Sequence, residues 1–182
     1  MEQGADSYRR FLDGDESGFD EIIRLYHDGL IFFLNRYVHC FAAAEDLAAD
    51  TFMELIVHKN RYSFRSSFKT YLFAIARHKA MDYLRHESHL APMTAEEALC
   101  DAADTASVER AVLAEEQKRE IERLLATLTQ DYATYLHLSL FEEMTNDEIA
   151  VILHKTKRQM TNLAYRAKQA LKEAMRKEGI SS

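Results

Sequence analysis

The feature that most restricts the fold of this chain is the scarcity of residues that turn the backbone tightly. Its 182 residues include five glycines and one proline, and no glycine lies between Gly29 and Gly179. β-Hairpins depend on short turns in which glycine supplies backbone angles that other residues adopt reluctantly. A chain of this length has room for one domain or two small ones. Without hairpin turns it should build them from helices, so the sequence predicts an all-α protein.

The charges are strongly segregated along the chain, whose formal net charge is −7. Residues 1–57 carry 12 acids and 4 bases, whereas residues 58–90 carry 2 acids and 7 bases. The pattern then repeats, because residues 91–144 hold 12 acids and 4 bases and residues 145–182 hold 4 acids and 8 bases. Two basic islands in an acidic protein suggest a polyanion contacted at two places. The alternative is that each island is only the solvated face of a helix.

Three segments in the first half have the apolar spacing of amphipathic helices. Ser17 is a suitable N-cap for the first, in which apolar residues recur every three or four positions from Phe19 to Tyr37. The second, AEDLAADTFMELIVH, should leave three carboxylates on its outer face: Asp46, Asp50 and Glu54. The third should begin at Ser66 or Ser67 and bury one apolar face, which includes Phe68, Tyr71, Leu72 and Ile75.

The sequence changes character between about His89 and Ala114. This stretch contains Pro92, many alanines and scattered acids, but no sustained apolar stripe. Such a composition is typical of a linker. We therefore predict two small helical domains, residues 1–90 and 115–182, joined by residues 91–114.

The cysteine content and hydropathy bear on the compartment. Cys40 and Cys100 are the two cysteines, too few for a disulfide framework. The sequence shows neither a long apolar run nor a signal peptide with a basic start and an apolar centre. We therefore expect a soluble, cytoplasmic protein in a reducing compartment, with no membrane insertion.

The last basic island has the pattern of a helix-turn-helix. Thr145 with Glu148, and Thr156 with Gln159, are each spaced as a capping box, which marks the start of a helix. The second helix should bury Met160, Leu163, Ala164, Ala167, Leu171 and Ala174 and expose Arg158, Asn162, Tyr165, Arg166, Gln169 and Lys172. Two capped helices separated by a two- or three-residue turn suit the motif whose second helix enters a major groove. The alternative is a helical hairpin with a solvated basic face.

The other basic region mixes cations with aromatic rings. Its candidates for holding nucleic acid are Asn60, Arg61, Tyr62, Phe64, Arg65, Lys69, Arg77 and His78. A positive groove with aromatic faces binds single strands by phosphate contact and by stacking worth about 1–3 kcal/mol per base. The loop from Asn60 to Ser67 could also form the pocket that a flipped base needs. The alternative is that Tyr62, Phe64 and Phe68 are ordinary core residues.

Three segments, in this order and spacing, resemble regions two and four of bacterial RNA polymerase sigma factors of the extracytoplasmic-function (ECF) type. They are AEDLAADTFMELI, FKTYLFAIARHKAMDYLRH and MTNDEIAVILHKTKRQMTNLAYRAKQAL. The resemblance covers most of residues 10–90 and 115–177, and three ordered motifs are more specific than a lone helix-turn-helix. His154 stands at the turn where such proteins usually have glycine, and histidine can adopt the left-handed conformation required there.

The resemblance implies a sigma factor that binds core RNA polymerase and directs promoter-specific transcription initiation. The first domain would dock on the polymerase through Asp46, Ala49, Asp50 and Met53, and would recognise and melt the −10 element through the eight candidates between Asn60 and His78. The second domain would recognise the −35 element through Lys155, Lys157, Arg158, Gln159, Thr161, Asn162, Tyr165, Arg166 and Lys172. The implied partners are core RNA polymerase, promoter DNA and an anti-sigma factor.

Two other classes of function remain to be weighed. The sequence contains no Gly-rich phosphate loop, no nucleophile motif with an identifiable base, and no pair of Glu-x-x-His motifs. His86 and His89 could share a metal, but further ligands are missing and exposed residues at a helix end are the simpler interpretation. We therefore expect no enzymatic activity and no cofactor. A self-sufficient helix-turn-helix regulator is the remaining alternative, although it would have no need for a strand-melting surface.

Overall fold

The computed structural model describes residues 3–90, 121 and 123–179 of the chain. Within this described part every regular element is a helix, which confirms the predicted all-α class. The chain divides into two compact units, residues 1–100 with 151–154 and residues 101–150 with 155–182. The helix Asn146–Leu153 begins in the second unit and is grouped with it below, although its last three residues belong to the first.

Up to residue 90, the described part of the first unit contains four α-helices and one 3₁₀ turn. In chain order these are α1 (Gln3–Leu12), α2 (Ser17–Val38), α3 (Phe41–Val57), the 3₁₀ turn Lys59–Arg61, and α4 (Phe68–Leu90). Helix α2 is central, because it packs against α1, α3 and α4. The apolar stripes predicted for α2, α3 and α4 converge on one core, whose largest fully buried side chains include Tyr8, Phe33, Phe68, Phe73 and Leu72.

The start of α2 differs from the prediction that Ser17 is the N-cap. Ser17 is already helical, and the N-cap position is Glu16, whose side chain makes no capping hydrogen bond. The carboxylate of Asp15 acts instead, accepting hydrogen bonds from the Ser17 backbone N–H (3.0 Å) and from Ser17 Oγ (2.6 Å). These bonds to Ser17 lower the pKa of the Asp15 carboxyl. The prediction was therefore wrong by one position, because a neighbouring acceptor satisfies the free N–H.

Helix α1 was not predicted, and two glycines let it approach α2 closely. A Cβ atom added to Gly4 would lie 2.2 Å from Tyr26 Oη, and one added to Gly18 would lie 2.3 Å from the Ser7 carbonyl oxygen. No real side chain tolerates such separations from a backbone atom. Glycine is therefore required at Gly18 for close packing of the two helices, rather than for turn formation.

Cys40 lies between α2 and α3. Its Sγ accepts a hydrogen bond from the Ala43 backbone N–H at 3.5 Å and so caps the start of α3. The other cysteine of the sequence, Cys100, lies outside the described residues.

Among its described residues, the second unit contains three complete helices, preceded by a helical stretch at residues 123–126. They are α5 (Gln130–Leu140), α6 (Asn146–Leu153) and α7 (Lys157–Lys177). Helix α5 packs against α7, and the core includes Leu125, Leu136, Leu138, Ile149, Ile152 and Ala167. The start of the helix expected around Glu115 to Leu128, and the expected linker 91–114, lie outside the described residues.

Candidate nucleic-acid interface

Both predicted capping boxes are present in the second unit. At the start of α6, Thr145 Oγ1 accepts from the Glu148 backbone N–H (3.3 Å), and Glu148 Oε2 accepts from the Thr145 backbone N–H (2.9 Å). At the start of α7, Thr156 Oγ1 accepts from the Gln159 backbone N–H (3.3 Å), and Gln159 Oε1 accepts from the Thr156 backbone N–H (2.8 Å). Each box satisfies two backbone donors that a helix start leaves unpaired, so both helix starts are well defined.

The turn between α6 and α7 is built around His154. Its φ angle is +52°, which confirms the expected left-handed conformation. The backbone N–H of Lys155 donates to the Ala150 carbonyl oxygen (3.0 Å), and the N–H of His154 donates to the Val151 carbonyl oxygen (3.3 Å). This pair of bonds is the Schellman motif, in which glycine is the usual left-handed residue. A three-residue connection thus sets the angle between the two helices.

Helix α7 has the two faces that the sequence predicts. Met160, Leu163, Ala164 and Ala167 are buried and form its inner face. Most of the predicted −35 residues are exposed, and Tyr165 keeps 67% of its surface accessible. The exposed members of the set are Lys157, Arg158, Gln159, Thr161, Asn162, Tyr165, Arg166 and Lys172. The geometry therefore presents a continuous polar and basic face that a major groove could receive.

A groove of about 600 Å³ separates part of this face from the start of α5. It is lined by polar side chains of both helices, including Gln130, Gln159, Asn162 and Arg166. Lys155 also lines the groove, but its Nζ lies 3.0 Å from Asp131 Oδ2. The charge of Lys155 is thus shared with a carboxylate, unlike that of the exposed cations farther along α7.

The predicted strand-binding loop of the first unit, residues 60–67, begins within the 3₁₀ turn and ends just before α4. Asn60, Arg61 and Arg65 are exposed. Tyr62 is only 5% exposed, its hydroxyl donates to the Ser66 carbonyl oxygen (2.7 Å), and its ring stacks on Tyr71 with centroids 4.9 Å apart. Tyr62 and the fully buried Phe68 thus occupy the core positions that the alternative interpretation gave them. Tyr62 therefore packs beneath the loop and fixes its backbone through the hydrogen bond to Ser66.

Phe64 is the aromatic residue of this loop that reaches the surface. It keeps 36% of its surface exposed and has a φ angle of +59°. Its ring centroid lies 4.5 Å from that of Tyr62 and 4.7 Å from the Arg9 guanidinium carbon. A left-handed phenylalanine is uncommon, and such conformations persist where the surrounding structure enforces them.

Glu54 does not lie on the outer stripe with Asp46 and Asp50, as the sequence predicted. It is partly buried and faces the basic region, where its Oε1 accepts from Arg61 Nη1 (3.0 Å) and its Oε2 lies 3.7 Å from Lys79 Nζ. The spacing of four residues predicted that Glu54 shares a helix face with Asp46 and Asp50. Its carboxylate instead pairs with Arg61 and Lys79. Glu54 therefore holds Arg61 at the base of the loop.

The remaining predicted −10 residues lie on α4. Lys69 and Arg77 are partly buried, whereas His78 is exposed and its Nδ1 lies 3.2 Å from Asp82 Oδ2. The Nε of Arg77 is buried without a hydrogen-bond partner among the described residues. These side chains stand at different depths and do not form a single exposed stripe.

The predicted docking residues do share one exposed face of α3. Asp46, Ala49 and Asp50 are exposed, and Met53 keeps 53% of its surface accessible. Val57, one turn farther on, is 66% exposed and extends the same face, although the sequence analysis did not select it. The exposed face of α3 is thus acidic at Asp46 and Asp50 and apolar at Met53 and Val57.

Tyr8 and Arg9 of α1 were missed by sequence analysis although both contact the loop region. Tyr8 is fully buried, and its hydroxyl donates to the carbonyl oxygens of Lys59 (2.8 Å) and Leu55 (3.3 Å). Burial, with a smaller contribution from Tyr71, raises the pKa of Tyr8 to about 12. The signal available in the sequence was the spacing of Gly4, Ser7, Tyr8 and Phe11, the buried face of α1.

Solved structures with the same fold include a sigma factor. The sigma factor RpoE of Bartonella quintana, solved with the anti-sigma factor NepR, superposes with a TM-score of 0.68 at 18% identity over 87% of this chain and 96% of that one. CnrH, solved with the cytosolic domain of CnrY, superposes with a TM-score of 0.62 at 15% identity over 95% of this chain and 94% of that one. At these identities the likeness establishes the fold.

Sequence relatives carry the comparison further. RNA polymerase sigma factor CarQ of Myxococcus xanthus is 30% identical over 143 residues, which cover 79% of this chain and 80% of CarQ. RNA polymerase sigma-H factor of Pseudomonas aeruginosa is 27% identical over 96% of this chain and 95% of its own length. The ECF sigma factor SigM of Bacillus subtilis is 27% identical over 89% and 97%.

Two family models account for both units of the fold. Residues 22–89 match sigma-70 region 2, and residues 118–171 match sigma-70 region 4. The first match contains the predicted docking residues and the aromatic loop, and the second contains the helix-turn-helix. A self-sufficient helix-turn-helix regulator would not account for region 2. The chain therefore belongs to the sigma-70 family of RNA polymerase sigma factors and is a member of the extracytoplasmic-function type.

Proposed function

We propose that this sigma factor binds core RNA polymerase and directs initiation by dividing promoter recognition between its two units. The observation that carries the proposal is the presence of two chemically different surfaces. The exposed face of α7 is polar, basic and helical, which suits the major groove of a duplex. The loop of residues 60–67 combines exposed cations with an exposed ring, which suits a separated strand.

The proposed domains follow from these two surfaces. Residues 1–90 form the region 2-like domain that docks on the polymerase and melts the −10 element. Residues 115–182 form the region 4-like domain that recognises the −35 element, and residues 91–114 connect the two. Within the first, the exposed stripe of Asp46, Ala49, Asp50 and Met53 is the proposed docking face, because it combines acids with uncovered apolar surface.

Two further properties follow from membership of this family. The chain acts through macromolecular contacts and without enzymatic activity, in the cytoplasm where polymerase and promoter are found. Among the described residues, no helix has both the length and the hydropathy to cross a membrane. An anti-sigma factor is a further proposed partner, since the superposed sigma factor RpoE was solved with the anti-sigma factor NepR.

A reconstitution tests the division of labour. The promoter is taken from DNA crosslinked to the protein in its host, and strand opening is followed with a fluorescent base in the −10 element. We expect specific binding and opening only when the full chain and core polymerase are both present. Base changes in the −35 element should reduce binding, and changes in the −10 element should reduce opening. Tight, specific duplex binding by the chain alone would overturn the proposal.

The docking face is tested by reversing one charge. Asp50→Lys should weaken binding to core polymerase by roughly tenfold or more, because it places an opposite charge at the centre of the proposed contact. Asp28→Lys is the matched control, since Asp28 is an exposed carboxylate on a different helix, α2. A titration with labelled polymerase measures both affinities, and circular dichroism verifies that helicity is retained. Equal affinities for the two variants would contradict the assignment of α3.

A further inference from the structure

Helix α1 stands apart from the parts of the chain that the proposed function uses. The region 2 match begins at residue 22, whereas α1 spans Gln3–Leu12. Its buried residue Tyr8 nevertheless lies in the middle of the aromatic cluster beneath the strand-binding loop. The Tyr8 ring centroid is 5.0 Å from Phe68, 5.8 Å from Tyr62 and 6.5 Å from Phe64. The side chain thus touches all three aromatic residues that the sequence places around the loop.

The Tyr8 hydroxyl also ties two backbone segments together. It donates to the Leu55 carbonyl oxygen in the last turn of α3 and to the Lys59 carbonyl oxygen in the 3₁₀ turn. The first carbonyl belongs to the proposed docking helix, and the second lies immediately before the loop. A buried hydroxyl that satisfies carbonyls at a helix end fixes where the chain leaves that helix. Tyr8 therefore sets the position at which the loop begins.

Arg9, the next residue, reaches the outer side of the same loop. Its guanidinium carbon lies 4.7 Å from the Phe64 ring centroid, and its Nη1 pairs with Asp6 Oδ1 at 3.0 Å. The Arg9 side chain keeps half of its surface exposed. An arginine over an aromatic face gains a cation–π attraction, and its guanidinium is the group that binds phosphate most specifically. The cation is therefore placed beside the ring that the −10 strand would meet.

We propose that α1 is part of the strand-binding site, with Tyr8 as a positioning residue and Arg9 as a further contact to the separated −10 strand. The inference rests on the proposed function of the loop and extends it to an element outside the family match. Tyr8 acts through the backbone at Leu55 and Lys59 and through the ring of Phe64. Arg9 adds a positive charge to the surface formed by Arg61 and Arg65, and together with Tyr62 it holds Phe64 in its left-handed conformation.

The experiment uses the full chain assembled with core polymerase and two conservative variants. Tyr8→Phe keeps the buried ring and removes the hydroxyl, and Arg9→Gln removes the charge while keeping a polar side chain of similar length. Arg10→Gln is the matched control, because this substitution removes the same charge from α1. Arg10 pairs with Asp15, just before α2, and with Glu21 of α2, neither of which belongs to the loop. Thermal unfolding of each variant shows how much of any change comes from stability.

Two readouts separate a role in strand binding from a purely structural one. Binding of the holoenzyme to a single-stranded −10 oligonucleotide is measured across salt concentrations, and Arg9→Gln should reduce the slope of log affinity against log salt by about 0.7, the value for one phosphate on a single strand. Tyr8→Phe should lower promoter opening by roughly twofold to tenfold, as loss of a buried hydrogen bond allows. It should also reduce discrimination between −10 base variants, without changing affinity for core polymerase.

The outcomes are distinguishable from failure of the proposed function itself. If the wild-type holoenzyme does not open the promoter, the proposed function fails before α1 is tested. If the wild type opens it but Arg9→Gln keeps the wild-type salt slope, Arg9 makes no strand contact. If Tyr8→Phe keeps wild-type base discrimination, Tyr8 does not position the loop. An equal loss of slope in Arg10→Gln would show that the effect of Arg9 is only one of net charge.

Discussion

Four described residues other than glycine adopt positive φ angles, a backbone conformation that normally favours glycine. Among the described residues, His39, Phe64, Glu143 and His154 have φ angles between +51° and +59°. His39 and His154 lie at the ends of helices, and Phe64 lies in the loop that precedes α4. Each such residue carries strain of about 1–3 kcal/mol that glycine would avoid. At these four positions the backbone turns without glycine, whereas Gly14 (φ +96°) and Gly179 (φ +71°) hold the other positive φ angles among the described residues.

The strain at His154 leads to a stability prediction. His154→Gly should stabilise the second unit by about 0.5–1 kcal/mol, because glycine adopts the left-handed conformation without steric cost, although it loses more entropy on folding. His154→Val should destabilise it by about 1–2 kcal/mol, since a β-branched side chain fits this conformation poorly. Denaturant unfolding measures both, and His154→Ala separates loss of the imidazole from the backbone effect. Equal stability of the glycine and alanine variants would show that the backbone is not strained.

The residues that sequence analysis placed correctly are those governed by local chemistry. The capping boxes of Thr145 and Thr156 depend on two side chains three residues apart, and both were predicted. Tyr62 and Glu54 depend on distant partners, so their surroundings could not be inferred from spacing alone. Tyr62 is buried because Tyr8 and Tyr71 pack around it, and Glu54 turns inward toward Lys79 on another helix.

At the level of elements, α2 to α4 and the two helix-turn-helix segments were recognisable because each has a long apolar stripe or a capping box. Helix α1 has neither, since its ten residues bury Gly4 and Ser7 beside Tyr8 and Phe11. A face made partly of small residues gives a weak hydrophobic pattern in the sequence. The structure shows that this face packs closely against α2 at Gly18. The unpredicted element is therefore the one whose packing depends on close approach rather than on apolar bulk.

The exposed face of α7 gives the element-scale prediction. Arg158→Ala and Asn162→Ala should each cost about 1–3 kcal/mol at one position of the −35 element if they contact base edges. Lys172→Ala should instead weaken binding to all sequences and reduce the salt slope by about 0.9, as expected for one duplex phosphate. The assay is holoenzyme binding across single-base promoter variants and salt concentrations.

Two features of the chain sharpen that assay. Gln169→Ala is the control, because Gln169 is exposed on the same face and carries no charge. Lys155→Ala should change the salt slope less than Lys172→Ala, since Asp131 already shares the charge of Lys155. If neither sequence preference nor salt slope responds to the changes at Arg158, Asn162 and Lys172, the basic face of α7 is only solvated.

For the whole molecule, the segregated charges of the sequence correspond to separate surfaces of the two units. The basic residues near position 60 surround the loop of the first unit, and those after position 155 lie on α7 of the second. The acidic residues include the exposed stripe of α3. A net charge of −7 therefore coexists with two surfaces suited to DNA, because the acids are concentrated elsewhere. Charge distribution along the sequence was predictive here because each surface comes from one short segment.

The two units have separate cores, so we expect them to respond separately to core mutations. Phe33→Ala in α2 and Leu136→Ala in α5 each empty a fully buried position and should cost about 3–5 and about 2–5 kcal/mol, respectively. Unfolding of the full chain is followed by calorimetry and by amide hydrogen exchange, which reports each helix individually. Phe33→Ala should lower protection in α2 to α4 and leave α5 and α7 unchanged, and Leu136→Ala should do the reverse. If either variant lowered protection in both units to the same extent, the chain would be a single cooperative domain, and the proposed division at residues 91–114 would be wrong.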